Sequence, residues 1–256
     1  MRVITRRIKV LAERETSAHK YSHGTVAVIA GSDEYPGASV LTVGGARRGG
    51  AGYIQYADLE SAPTSLVLQR FPDVVTKTLK TLQADCWVIG SGNPELPRRF
   101  VMPSSSYLVL DASSISLARE SRSAFTVMTP HEGEFKALGY EVKSVEDRLK
   151  RVKQAASELN VFVLLKGPQT LIASPSGVVV ENHSGGPELA TAGTGDVLAG
   201  FIGSMLASWR PDNEESALEV LNKAVNAHSL AGKVAHRRYR PMTALDLLNE
   251  LPQVIR

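Results

Sequence analysis

This chain of 256 residues predicts a three-layer α/β/α sandwich with a mostly parallel central sheet, and three observations carry that expectation. The first is a set of short apolar runs rich in β-branched residues, at 26–30, 53–57, 86–89, 107–110, 125–128 and 161–165, bounded by Gly, Pro or Asp. Runs this short and this continuously apolar suit strands buried on both faces. The second is that the stretches between them have helical character. The third is the alternation itself, which calls for parallel strands joined by right-handed helical crossovers.

Taken in order, residues 38–48 form a helix of small and apolar residues, and 145–159 an amphipathic one. The stretch 197–207 carries apolar pairs at Val197/Leu198, Phe201/Ile202 and Met205/Leu206, the i, i+4, i+8 spacing of one helix face. One region breaks the alternation. The runs 170–173 and 178–181, joined by Ser174-Pro175-Ser176-Gly177, predict a β-hairpin. Thr243 and Asp246 predict the capped start of a short closing helix over 243–251.

Composition narrows the function. At 43% hydrophobic and 21% charged the chain is ordinary globular material, read as one domain over residues 1–256. A net charge of +3 is small for this length. The basic pairs Arg47-Arg48, Arg98-Arg99 and Arg237-Arg238 are dispersed and lack interleaved aromatics, which argues against nucleic-acid binding. Cys86 is the single cysteine, so no intrachain disulfide forms and a reducing, cytoplasmic setting is expected. The charged stretch from Met1 to Lys20 lacks the apolar segment of a secretory signal. Apolar runs fall far short of the roughly 20 residues of a membrane span.

The chemistry concentrates at the ends of the apolar runs. Ala190-Thr191-Ala192-Gly193-Thr194-Gly195-Asp196 leads directly into a helix. Glycines there let amides converge, and the helix N-terminus adds partial positive charge, which together make an anion site. Asp196 at that helix start can take a proton from a substrate hydroxyl while the amides there hold developing charge. The competing reading is a plain Thr/Asp helix cap. Lys166-Gly167-Pro168-Gln169-Thr170 follows a buried strand, where a lysine can meet nucleotide phosphates or simply be solvated.

Thr129-Pro130-His131-Glu132-Gly133-Glu134 is a third polar strand end, with His131 a candidate substrate contact. It reads equally as a helix start with acids placed for the macrodipole. No second histidine lies nearby, so a dedicated protein metal site is not expected. Gly31 to Ala38, Gly90-Ser91-Gly92-Asn93 and Asp111-Ala112-Ser113 complete a set of polar turns on one sheet edge. Neither the G-x-G-x-x-G dinucleotide fingerprint nor a Walker P-loop is present.

Together these segments resemble the ADP/ATP-dependent NAD(P)H-hydrate dehydratases of the ribokinase-like superfamily. Four elements carry the resemblance: Ala30-Gly31-Ser32-Asp33 with Pro36-Gly37-Ala38; Thr129-Pro130-His131 with Gly133-Glu134; Lys166-Gly167 with Gln169-Thr170; and Thr191 to Gly200. It runs from about His19 to about Leu251. The resemblance implies a ribokinase-like fold and a substrate that is the hydrated form of NADH or NADPH. ADP or ATP, with Mg2+ carried on the phosphates, would phosphorylate the ring hydroxyl, and loss of phosphate would restore the dihydronicotinamide.

By the same resemblance Asp196 is the base, and Gly193, Thr194 and Gly195 form the anion hole. Lys166, Gly167, Pro168, Gln169 and Thr170, with Gly195, contact the nucleotide. Ala38, Ser39, Gly92, His131 and Asp196 contact the hydrated dinucleotide. The resemblance further implies ADP dependence and a homo-oligomer, commonly a tetramer. About 20 residues precede His19, so a separate epimerase is expected to act on the same substrate. The chain departs from the family pattern at Ser91, Ser113, Glu132 and Gly185-Gly186-Pro187-Glu188-Leu189, which touch the substrate cleft more than the phosphate site. The alternatives are a ribokinase-like kinase that stops after phosphorylating a vitamin precursor or sugar alcohol, and a nucleotide-binding module without turnover.

Overall fold

The computed structural model describes residues 8–13, 16–59, 62–97, 100–121 and 123–256. Arg98-Arg99 and much of the charged stretch 1–20 lie outside them. A nine-stranded sheet forms the middle layer, in the order β3-β2-β1-β4-β5-β6-β7-β8-β9. Its strands are β1 (Thr25–Ile29), β2 (Tyr53–Ala57), β3 (Val75–Lys77), β4 (Cys86–Ile89), β5 (Tyr107–Leu110), β6 (Phe125–Met128), β7 (Phe162–Leu165), β8 (Thr170–Ala173) and β9 (Val179–Asn182). The first seven pair in parallel, and β8 and β9 add an antiparallel hairpin at the edge. The hairpin turns at Gly177, whose φ of 87° belongs to the left-handed region that glycine tolerates.

The apolar runs are continuous because both faces of the sheet are covered. Val26 and Val28 pack with one core and Ala27 and Ile29 with the other, and Tyr107/Val109 against Leu108/Leu110 repeat the division. The first core is closed by α1 (Pro36–Ala46), α2 (Pro63–Arg70), α5 (Thr194–Trp209), α6 (Glu214–Arg238) and α7 (Ala244–Val254). The second is closed by α3 (Glu132–Ala137), α4 (Val145–Leu159) and a 3₁₀ helix over Ala112–Glu120. This is the expected three-layer sandwich.

Local chemistry sets the helix ends. Ser144 accepts a bond from the Asp147 N–H to open α4, and Asn160, at φ 54°, ends it. Thr243 and Asp246 form a reciprocal capping box at α7. Several boundaries differ from the sequence reading. Pro36 starts α1 two residues early because its missing N–H and fixed φ suit a first helical position. Helix α5 starts at Thr194 rather than 197, and β7 begins at Phe162. Three elements were not anticipated: the short edge strand β3, α2, and α6, the longest helix.

Helices α1 and α5 meet almost backbone to backbone. A Cβ on Gly45 would lie 2.1 Å from the Val197 carbonyl oxygen, and one on Gly200 would lie 1.9 Å from that of Thr42. No flexible side chain can move aside to relieve either contact. Gly200→Ala is therefore expected to destabilise the protein by about 1–3 kcal/mol, as overpacking does. A urea midpoint lowered with unchanged slope is the expected result; an unchanged midpoint would show that the two helices can separate freely.

Candidate active site

Because β1, β4, β5, β6 and β7 are adjacent and parallel, their C-terminal loops share one edge. Strand β1 lies between β2 and β4, so the chain reverses its progress across the sheet there, a topological switch point where α/β folds bind ligands. At that point the Gly31 N–H donates to the Ser91 carbonyl at 2.7 Å. Gly92 has φ 71°, and a Cβ on it would sit 2.4 Å from that of Ala38. Ala38 and Gly92 are thus brought together. Ser39, by contrast, is fully buried, and its hydroxyl donates to the Pro36 carbonyl within its own helix at 2.6 Å.

The start of α5 does not match a plain side-chain cap. Its N-cap is Gly193, in the left-handed region at φ 88°, and no side chain caps the helix. The Thr194 hydroxyl turns backwards, donating to the Leu189 and Thr191 carbonyls at 2.8 and 2.9 Å. No acceptor among the described residues takes the N–H of Gly195 or Asp196. Two unbonded amides at a helix N-terminus are suited to an anion. His228 of α6 steadies this turn, its Nε2–H donating to the Thr194 carbonyl at 2.8 Å. Burial depresses its pKa to about 4, against the opposing pull of the Thr194 carbonyl, so the ring is neutral at ordinary pH.

Lys166 is the positive centre of the site. Its ammonium meets Asp111 Oδ1 at 3.1 Å, and Asp111 also accepts from Ser91 at 2.8 Å and Thr129 at 2.7 Å. Burial opposes charge on both partners, but their pairing and these hydroxyls outweigh it: Asp111 is held below the usual carboxylate range. Lys166 is held above the usual ammonium value by Asp111, Glu134 and Asp196 despite its burial. One ammonium therefore faces three carboxylates. Asp196 carries the surplus: burial first, then repulsion from Asp111 and Glu134, push it up to about 7, with Lys166 pulling the other way. A carboxyl near neutrality is suited to accepting a proton.

His131 and Glu134 form the capping box of α3. His131 Nδ1 accepts from the Gly133 and Glu134 amides at 3.0 and 3.2 Å, and Glu134 accepts from the His131 N–H at 2.8 Å. His131 Nε2 lies 3.5 Å from Glu134 Oε1. Arg148 was not among the sequence candidates, yet it orders the lysine loop. Nearly fully buried, it donates to the carbonyls of Leu165, Lys166 and Gln169 and to Glu132 at 2.9 Å. A Cβ on Gly167 would lie 2.4 Å from Arg148 Nη2, so glycine is what lets the guanidinium in. Glu132 thus has a local partner in this chain.

A cavity of about 530 Å³ opens beside these groups. His131, Lys166, Gly167, Pro168, Thr170, Thr194 and Gly195 line it, so most of the expected nucleotide segment meets the expected anion hole. Leu189, Leu198 and Val225 supply an apolar wall, and His228 was missed along with the helix that carries it. Asp196 and Gly193 adjoin: a Cβ on Gly193 would come 3.8 Å from Asp196 Oδ2. Gln169 presents its carbonyl to Arg148 rather than its side chain to the cavity lining. Among the described residues no group of three or more His, Cys, Asp or Glu side chains could hold a metal.

A family model described as NAD(P)H-hydrate dehydratase matches residues 26–253. The chain belongs to that family. An ADP-dependent (S)-NAD(P)H-hydrate dehydratase from Neisseria meningitidis is 31% identical over 260 residues, covering 88% of this chain and 87% of that protein. A bifunctional NAD(P)H-hydrate repair enzyme from Gloeobacter violaceus is 36% identical over 244 residues, 86% of this chain and 47% of that protein. The chain spans about half the length of the bifunctional curated relatives it matches. The Bacillus subtilis ADP/ATP-dependent NAD(P)H-hydrate dehydratase, crystallised with ATP and Mg2+, superposes with a TM-score of 0.80 at 29% identity, over 96% of this chain and 93% of that one. The fold is ribokinase-like. No helix among the described residues is long and apolar enough to cross a membrane.

Two outcomes follow for this member of the dehydratase family. Removing the fork in Arg148→Met should leave the 165–169 carbonyls unpaired and cost about 1–3 kcal/mol. Hydrogen exchange should speed up across that loop, whereas Glu132→Gln, at a half-exposed partner, should change little. The second outcome concerns pH. Asp196 titrates near 3.8 unfolded and about 7 folded, so between those values the native state binds more protons and stability falls as pH rises. Asp196→Asn removes that loss. Its advantage over wild type should be absent below pH 4, grow through neutrality and level off above it. A gain on the order of 2 kcal/mol is expected, about half the full linkage value because the side chain still meets water. A pH-independent difference in melting temperature would refute the assigned shift.

Proposed function

We propose that this chain repairs hydrated NADH or NADPH, using ADP or ATP to phosphorylate the ring hydroxyl and then releasing phosphate to regenerate the dihydronicotinamide. The observation that carries this reading is Asp196. It is a carboxyl held near pKa 7 in the first turn of a helix whose leading amides are unbonded, beside the Lys166 ammonium. A site that only bound nucleotide would have no use for a base there. ADP rather than ATP is favoured by the name of the Neisseria meningitidis relative, which covers the chain at similar length.

The steps assign a task to each group. Asp196 takes the proton of the ring hydroxyl as its oxygen attacks the terminal phosphorus of the nucleotide, the bridging P–O bond breaks and AMP (from ADP) or ADP (from ATP) leaves. The N–H groups of Gly195 and Asp196, at the positive end of α5, hold the negative charge that grows on the transferring group. Lys166 faces the nucleotide phosphates, and Arg148 fixes the loop from which it projects. Hydroxide is a poor leaving group and phosphate a good one. The lone pair of the ring nitrogen then expels phosphate, and a proton leaves the neighbouring ring carbon to restore the double bond.

Mg2+, carried on the nucleotide phosphates, would neutralise their charge. The donor chemistry fits that placement: Asp111 is already committed to Lys166, Ser91 and Thr129, while Asp196 and Glu134 leave a negative surplus facing the site. The reading places the enzyme in the cytoplasm, with a separate epimerase supplying the reactive isomer. A ribokinase-like kinase acting on another alcohol is the second reading, because the anion cradle and base would serve it equally.

The test mixes the purified protein with hydrated NADH, Mg2+ and either ADP or ATP, and follows dihydronicotinamide absorbance in the near ultraviolet. Recovery that requires added nucleotide is expected. No recovery from folded protein that binds nucleotide would favour the kinase reading. Asp196→Ala should lower turnover by at least about 10²–10⁴-fold, the usual worth of a positioned base, while nucleotide binding persists. Wild-type kcat should rise with pH and level off above about 7 as Asp196 ionises; a profile flat from pH 5 to 8 would remove it as the base.

A further inference from the structure

A second concavity lies at the opposite end of α1 from the substrate edge, about 16 Å along the helix axis. It measures about 360 Å³, with Gly44 and Leu248 among its lining residues. Three guanidinium groups surround it, those of Arg47, Arg48 and Arg70, together with the Asn249 amide of α7. Asp73 is the one carboxylate in its lining, and Arg47 takes both of its oxygens at 2.8 Å. Phe71 stands between Arg47 and Arg70, their guanidinium carbons 4.5 and 5.4 Å from its ring centroid.

Arg48 is the unusual member. Its Nε is shut off from water and has no hydrogen-bond partner among the described residues. Burial and the charges of Arg47 and Arg70 work against its protonation, opposed only by Asp73. Cations at the ends of α1 and α2 suit the helix macrodipoles, and that accounts for Arg47 and Arg70. It does not account for a third guanidinium, that of Arg48, beside the other two, nor for Asn249 of a third helix lining the same cavity. Three guanidinium groups gathered around one cavity with a single carboxylate among them repel one another, and a bound anion is what offsets that repulsion.

We propose that this cavity binds a phosphate-bearing anion of at least two negative charges, held by Arg48 and Arg70 with Asn249, separately from the cradle at α5. The volume falls in the lower part of the range of small-molecule sites, about 300–1,000 Å³. Planar guanidinium forks match phosphate oxygens in pairs. The excess of cations over Asp73 and the modest size together favour a small orthophosphate or diphosphate group over a bulky acidic chain.

The test uses inorganic pyrophosphate, titrated into the Lys166→Met protein so that binding at the α5 cradle is weakened, with ionic strength held constant by chloride. A saturable rise in melting temperature is expected, as for any ligand that binds only the native state. Arg48→Gln should weaken the apparent affinity at least about tenfold, the loss of a charge-assisted contact. Arg70→Gln, at an exposed side chain that folding does not require, should weaken it several-fold. Orthophosphate saturating as readily as pyrophosphate would identify a single tetrahedral group as the ligand. Identical curves in Lys166→Met and both arginine variants, or no rise at all, would overturn the proposal. So would poly-glutamate binding where pyrophosphate does not, which would make this face a macromolecular interface.

Discussion

The pairing of Lys166 with Asp111 is the interaction on which the site depends. It ties the ends of β7 and β5 together across β6, in surroundings where neither charge could stand alone. A buried ion pair is weak evidence for stability, because desolvation offsets much of the attraction. Its value here is in position and electrostatics. With Ser91 and Thr129 also bonded to it, Asp111 cannot turn away, and Lys166 is held where Glu134 and Asp196 sense it. The same committed carboxylate repels Asp196 and helps lift it toward neutrality. One fixed pair therefore sets both the position of the Lys166 ammonium and the protonation of Asp196.

That arrangement needs a rigid frame, which the small residues of α1 and α5 supply. Close approach of two helix backbones leaves no side-chain layer to rearrange, so the start of α5 is placed relative to α1 by hard contact. The N-terminus of α1 carries Ala38, against which Gly92 rests, and the N-terminus of α5 carries the unbonded amides. The Ala38–Gly92 contact and the unbonded amides thus share one rigid unit. The lysine loop is fixed independently by Arg148, and the two parts meet at the cavity.

Strand content and the strand-end loops were legible because both sheet faces are buried, so strands appear as short apolar runs broken by glycine and polar turns. The glycine turn before α5 was legible for a related reason: Gly193 sits at φ 88°, where glycine is favoured. The expected amides differ in part, because the Thr194 N–H donates to the Thr191 carbonyl while Gly195 and Asp196 are the unbonded pair. Helix α6 was not legible. Its buried face mixes alanines with Leu218, Val220, Leu221, Val225 and Val234 and is broken by His228, Ser229 and Gly232, which blurs the apolar period. His228 was lost with it. Arg148 sits among Lys150, Arg151 and Lys153 on an amphipathic helix, and nothing in the spacing marks which cation turns inward. Only the Gly167 contact, visible in three dimensions, distinguishes it. His131 lines the cavity, but its Nδ1 is committed to its own helix.

The places where local rules fail are the places that carry the proposed chemistry. Ala112, directly after Asp111, has φ 46°, a conformation that a residue with a Cβ adopts at a cost. A Cβ on Gly90 would lie 1.9 Å from the Asp111 carbonyl oxygen, so the β4 turn is pressed against the β5 turn at the same point. The cap of α5 lacks a side chain, its first amides lack acceptors, and Asp196 is ionised at neutral pH only against its surroundings. The positive φ of Ala112, the uncapped amides and the buried Asp196 each cost the free protein something. Under the proposed reaction the amides gain an acceptor and Asp196 gains a proton, which offsets the last two of these costs. A fold selected for stability alone would have placed a serine at the cap and an apolar residue at 196. Keeping glycine and aspartate there is consistent with a site organised around the transferring phosphate rather than around its own ground state.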